Sequence, residues 1–85
     1  MKTTFTQKVL EIVRKIPAGT TMSYAQVASL AGHPNAARAV GTIMSKNFDP
    51  EIPCHRVIRS DGKIGNYNRG GIQRKIQMLQ DEKAI

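Results

Sequence analysis

"SYAQVASLAGHPNAARAVG", residues 23–41, is the stretch on which the fold turns. Ser23 and Gln26 have the Ser/Thr-x-x-Gln spacing of a capping box, in which a hydroxyl and an amide each satisfy the other's backbone N–H at a helix start. The spacing predicts a short helix over 24–31 ended by Gly32, because glycine enters the left-handed conformation past a helix end without a Cβ penalty. Pro34 suits a first helical turn, and a second helix is expected over about 35–45, with Ala36, Val40, Ile43 and Met44 facing inward. Two short helices joined by a tight glycine-containing turn read as a helix-turn-helix. The second helix begins "NAARAVG", and such small residues permit close approach to another surface, whether a DNA groove or a packed helix.

Working outward, Thr4 and Gln7 repeat the capping-box spacing, and Phe5, Val9, Ile12, Val13 and Ile16 follow at helical intervals until "PAG" at 17–19 stops the pattern. Downstream, "NFDPEIP" at 47–53 is a loop broken by two prolines. "VIRSDGKIGNY" at 57–67 reads as a small hairpin or wing with Asp61-Gly62 at its turn. After "NRGG" a last helix is expected over about 72–83, burying Ile72, Ile76 and Leu79. The resulting class is mostly α with a small β hairpin, a helix-turn-helix or winged-helix-like single domain over 1–85. Repeats and low-complexity segments are absent from the sequence.

A chain of 85 residues forms one domain with a modest core, burying about 60–65% of its unfolded surface. Its apolar runs are too short for a membrane span, and the N-terminal stretch lacks the form of a signal peptide. A single cysteine closes no internal disulfide, and two scattered histidines beside it offer no structural zinc site, so no metal is expected. A reduced thiol fits a soluble, cytoplasmic protein. Thirteen Lys and Arg against six Asp and Glu leave a net charge of +7, which points to a polyanion, most often nucleic acid. The cations Arg38, Lys46, Arg56, Arg59, Lys63, Arg69, Arg74 and Lys75 gather around the cysteine, opposed only by Asp49, Glu51 and Asp61.

That cysteine, Cys54, lies in "IPCHRVI" at 52–58. The thiolate is the reactive form, and positive charge or a hydrogen-bonding imidazole favours it. His55 and Arg56 are adjacent, but neighbours in an extended chain point apart, so His55 must turn back or act through a water. A carboxylate would then hold the imidazole in the useful tautomer. Asp49, Glu51, Asp61, Asp81 and Glu82 are all free to do so.

The 23–41 stretch, its "RAVG" helix, Asn47 at that helix's end, "PCHRV" at 53–57, G-x-I-G-N-Y at 62–67 and K-x-x-x-L-x-x-E at 75–82 occur in one order. Together they closely resemble the DNA-binding, active-site domain of the O6-alkylguanine-DNA alkyltransferases, the methylated-DNA–protein-cysteine methyltransferases, over about 5–82. The chain also resembles the alkyltransferase-like proteins, which share the fold and carry tryptophan or another residue where Cys54 stands. The resemblance implies direct, irreversible repair of double-stranded DNA containing O6-alkylguanine, and leaves open whether O4-alkylthymine is also accepted. The lesion is flipped into a pocket, and its alkyl group passes once to Cys54, in a monomer that needs no cofactor.

By the same resemblance Cys54 is the acceptor and His55 the base acting through a water. Glu82 orients His55, and Tyr67 is the hydroxyl that offsets charge on the leaving guanine. Tyr24 helps rotate the nucleotide phosphate, Arg38 fills the hole left by the flipped base, and Ala36, Ala39 and Gly41 let the helix approach DNA. Asn47 is the hinge under the cysteine. Pro53, the backbone at Cys54 and Val57, and the Asn68 N–H complete the guanine pocket. The chain departs from the family in three ways: it begins at the first helix of this domain without the usual N-terminal domain, it is one residue longer after Tyr67, and it is one shorter between Asn47 and Cys54. Three readings follow: an active single-use alkyltransferase, a lesion-binding sensor without transfer, and a winged-helix transcription factor with an incidental cysteine.

Overall fold

The computed structural model describes residues 4–65 and 67–85. Helix α1 (Phe5–Arg14) opens on its capping box: Thr4 Oγ1 accepts from the Gln7 N–H at 3.1 Å, and Gln7 Oε1 accepts from the Thr4 N–H at 2.9 Å. Helix α2 (Tyr24–Leu30) opens on the second box, with Ser23 and Gln26 paired at 3.0 and 2.8 Å. Gly32 takes φ +88°. The N–H groups of Gly32 and His33 then bond back to Ser29 and Ala28, both at 3.0 Å, a Schellman closure that satisfies the last carbonyls of α2. A turn from the Ala36 N–H to the His33 carbonyl occupies the residues before the next helix, so α3 (Ala37–Lys46) begins two residues later than the proline suggested, with Ala36 as its N-cap.

Three helices bury their apolar stripes on one another. Val9, Val13 and Ile16 from α1 and its end meet Val27, Ala28 and Ala31 from α2, Val40 and Met44 from α3, and Ile52, Cys54 and Val57 from the following segment. Phe5, Ile12, Ala36 and Ile43 pack half-buried at the edge of this cluster. Cys54 is thus part of the core, at the start of a 3₁₀ turn (Cys54–Arg56).

The β element differs from the hairpin expected over 57–67. Strands β1 (Met22–Ser23) and β2 (Val57–Ile58) pair in parallel, Met22 with Val57 and Ser23 with Ile58. The Asp61-Gly62 turn does form, closed by Arg59 N–H to Lys63 O at 2.9 Å and Gly62 N–H to Arg59 O at 3.1 Å. No strand follows it among the described residues, and Asn66 lies outside them. The fully buried Val57 instead pairs with the residue that leads into α2. This pairing sets the cysteine turn beside the N-terminus of α2.

Helix α4 (Gly71–Asp81) also departs from expectation in its buried face. Ile72 is 46% exposed, and Lys75 is fully buried with Leu79. Lys75, Leu79 and Glu82 follow i, i+4, i+7, one helical face that carries an ammonium and a carboxylate inward. The Lys75 Nζ donates to the Val57 carbonyl at 2.7 Å, and burial lowers its pKa to about 8.

Past Glu82, Lys83 takes φ +61° and the Ala84 N–H bonds back to Leu79 at 2.8 Å, a second Schellman closure with a lysine where glycine is favoured. Lys83→Gly is expected to raise the unfolding free energy by about 0.5–1 kcal/mol, the left-handed penalty of an L-residue less the entropy glycine gains when unfolded. Urea unfolding of the two proteins checks this.

Candidate active site

Cys54 is only 4% exposed, yet its side chain reaches an open cleft of about 770 Å³. Tyr24 from α2, Arg38, Gly41 and Met44 from α3, Arg59 and Asp61 from the turn after β2, and Tyr67 and Asn68 line the same cleft. The short pairing of β1 with β2 and the close α2–α3 packing bring these segments to one side of the molecule.

Behind the cysteine lies a network of charge. His55 is buried, and its Nε2 is 3.0 Å from Glu82 Oε2. Of the five carboxylates open to this role in the sequence, Glu82 is the one on His55. Arg56 donates to the same carboxylate through Nε at 2.9 Å and Nη2 at 2.6 Å, and through Nη1 to the Ile16 carbonyl at 2.8 Å. The forked Arg56 contact, helped by His55, holds the Glu82 pKa down at about 2. An ionised Glu82 only accepts, so His55 carries its proton on Nε2 and leaves Nδ1 as a lone-pair acceptor. Nδ1 is buried without a hydrogen-bond partner among the described residues. Burial lowers the His55 pKa, against the opposing pull of Glu82, and favours the neutral ring.

Tyr67 meets the His55 ring edge-on, with centroids 6.4 Å apart. Burial raises the pKa of Tyr67, and that of Tyr24, so both phenols keep their protons. Asn68 directs its Nδ2 at three carbonyls at the end of α3: Met44 at 3.2 Å, Ser45 at 2.7 Å and Asn47 at 2.8 Å.

Other residues singled out in the sequence lie elsewhere. Ala39 and Asn47 face a separate groove with Phe5, Leu10 and Ile43, away from Cys54. Asn47 Oδ1 accepts from the Asp49 N–H at 3.2 Å, which turns the chain out of α3. Val57 is fully buried, and its carbonyl already accepts from Lys75. Pro53 borders a smaller cavity behind the cysteine with His55, Arg56, Tyr67 and Arg69. Ala36 caps α3 at the rim of the core. The sequence reading missed Arg56 as the partner of Glu82, and it missed Arg69, whose Nη2 lies 3.5 Å from Cys54 Sγ. The gathering of cations around the cysteine was the one signal for both. Among the described residues no cluster of His, Cys, Asp and Glu could hold a metal.

The family described as 6-O-methylguanine DNA methyltransferase, DNA binding domain, matches residues 4–84. The methylated-DNA–protein-cysteine methyltransferase of Rattus norvegicus is 52% identical over 80 residues, covering 92% of this chain and 38% of that protein. The bifunctional transcriptional activator/DNA repair enzyme Ada of Escherichia coli is 46% identical over 81 residues, 94% of this chain and 23% of its own length. The chain therefore spans well under half of these relatives. Mycobacterium tuberculosis OGT in complex with DNA superposes with a TM-score of 0.88 at 44% identity, covering 99% of this chain and 52% of that one. S. pombe Atl1 in complex with damaged DNA containing O6-carboxymethylguanine gives 0.83 at 34% identity, covering 96% of this chain and 79% of that one.

The depressed Glu82 pKa has a consequence for stability. A carboxylate held below its unfolded value contributes stability above about pH 4.5, and that contribution is lost as pH falls toward about 2. Glu82→Gln is expected to lower the Tm at neutral pH and to flatten the acid side of the Tm–pH curve over that interval. Thermal unfolding monitored by circular dichroism across the range checks it.

Proposed function

Since the chain belongs to the 6-O-methylguanine DNA methyltransferase family through its DNA-binding domain, we propose that it repairs alkylated DNA by moving the alkyl group from guanine O6 to Cys54. The observation that carries this reading is a cleft-facing thiol backed by the His55–Glu82–Arg56 network. The thiol proton passes through a water to His55 Nδ1. Glu82 steadies the imidazolium that forms. The sulfur attacks the alkyl carbon, the carbon–O6 bond breaks, and guanine leaves with the electron pair. The Tyr67 hydroxyl donates to the departing base, and burial keeps that hydroxyl protonated. A thioether is stable, so each molecule acts once.

The DNA side follows from α3. The cleft is continuous from Cys54 to the exposed Arg38, with the bare backbone of Gly41 between them. A flipped guanine would enter this cleft while Arg38 enters the duplex and bonds the orphaned cytosine, offsetting part of the few kcal/mol of unstacking. The protein acts as a monomer on double-stranded DNA, without a cofactor, in the cytoplasm.

A second reading, lesion binding without transfer, draws on the likeness to S. pombe Atl1, seen in complex with damaged DNA containing O6-carboxymethylguanine. Cys54 separates the two. Incubation with a duplex containing O6-methylguanine should add one methyl per protein, mapped to Cys54, and Cys54→Ala should accept none. Tight, lesion-selective binding with no mass change would select the sensor. Repeated turnover, or transfer surviving in Cys54→Ala, would remove the proposed mechanism.

Arg38→Ala is expected to slow transfer from duplex DNA by about ten- to a hundredfold and to leave reaction with free alkylated guanine base nearly unchanged. An equal loss on both substrates would rule out its insertion into the duplex. Single-turnover rates on the two substrates decide it.

A further inference from the structure

The loop after Tyr67 carries a group that the mechanism above leaves unused. Arg69 is partly buried, and its Nη2 lies 3.5 Å from Cys54 Sγ and 3.4 Å from the Ile52 carbonyl. Its guanidinium carbon stands 5.8 Å from the centre of the Tyr67 ring, which stacks the plane in place. Arg69 lines the smaller cavity with Pro53 and His55 and does not line the large cleft, which Cys54 does. The approach to the sulfur from the cleft, where an alkylated base would enter, is left open.

We propose that Arg69 is a catalytic residue, whose guanidinium holds the Cys54 sulfur as thiolate from the side opposite the cleft. The inference rests on the alkyl-transfer reading for its role in repair and on the sulfur contact for its chemistry. His55 can remove the thiol proton, but the imidazolium it becomes lies against the Glu82 carboxylate, which offsets its charge and leaves the negative sulfur little net compensation in a core of valine, isoleucine and methionine. An N–H donor carrying full positive charge at contact distance supplies that compensation.

The other charged and titratable groups facing the sulfur do not take this place. Tyr24 on α2 and Tyr67 stay neutral because burial raises their pKa values. Lys75 on α4, mostly protonated near neutral pH with its pKa lowered to about 8, turns its Nζ to the Val57 carbonyl at 2.7 Å. Arg56 is committed to Glu82 and Ile16, and its charge cancels that of Glu82. The thiol hydrogen bond is the largest of the influences that raise the Arg69 pKa, the reciprocal effect of sulfur on guanidinium.

The test reads the thiolate without DNA. Iodoacetamide reacts with the free protein by forming an S–C bond and expelling iodide, so its rate follows the thiolate fraction at the protein's one cysteine. Rates across about pH 6 to 9, measured by intact mass, give a profile for wild type, Arg69→Met, Arg69→Gln and Arg69→Lys. The Met and Gln variants are expected to react about tenfold more slowly near neutral pH, with their profiles displaced upward by about one pH unit. Lys should recover most of the rate. Gln retains an N–H donor for Ile52, so it decides the matter if the Met variant fails to fold.

Profiles of Met and Gln that coincide with wild type would overturn the proposal, including the case in which stability alone falls. A displaced profile in a protein that takes no methyl from DNA would uphold Arg69 and defeat the transfer reading. Unchanged profiles with intact transfer would do the reverse.

Discussion

The carboxylate of Glu82 is the point on which the rest of the structure closes. It stands at the C-cap of α4, receives two N–H groups from Arg56 and lies against His55, while Arg56 reaches on to the end of α1 at Ile16. Helix α1, the cysteine turn and α4 are thereby joined through one side chain. Removing one partner of this half-buried network would leave another charge without its compensation. The loop after α1 is fitted to the same place. Gly19, at φ +87°, sits so close that an added Cβ would come within 3.3 Å of the Glu82 carbonyl.

The site balances two opposed demands. Cys54 belongs to the hydrophobic core, which fixes its position with the precision of packed side chains but disfavours charge. Behind it stand the His55–Glu82–Arg56 network, whose charges largely cancel, and Arg69, whose Nη2 lies 3.5 Å from the sulfur. Ahead of it the cleft stays open and is bordered by Arg38 and Arg59, the latter paired with Asp61 at 2.9 Å. Lys46, Lys63 and Arg74 stand exposed, where they can meet phosphates without a desolvation cost.

What was legible in the sequence was local. Both capping boxes formed as their spacing required, Gly32 closed α2, and the apolar stripes of α1 and α3 turned inward, because i, i+3 and i+4 relations are decided within a few residues. The errors came where a distant partner decided. The Asp61-Gly62 turn formed, but among the described residues its flanks pair in no hairpin, and Val57 finds Met22 across the fold. Ile72 was placed inward on hydrophobicity alone. The face of α4 was set instead by Lys75 and Glu82, whose partners at Val57, His55 and Arg56 are separated from them by 18 to 27 residues. Ala39 lines a groove apart from the cleft that Arg38 lines, and Asn47 turns the chain out of α3 by accepting from the Asp49 N–H.

Asn68 has two N–H hydrogens for the three carbonyls that it faces at the end of α3. The last turn of a helix is where fraying begins, since its carbonyls lack successors to bond. Here that turn is stitched to the segment that carries Tyr67 and Arg69. The two pieces therefore open together or not at all, as one cooperative unit of local unfolding. The helix that faces outward to a partner and the loop that reaches inward to the sulfur share a single opening equilibrium, and whatever quiets one quiets the other.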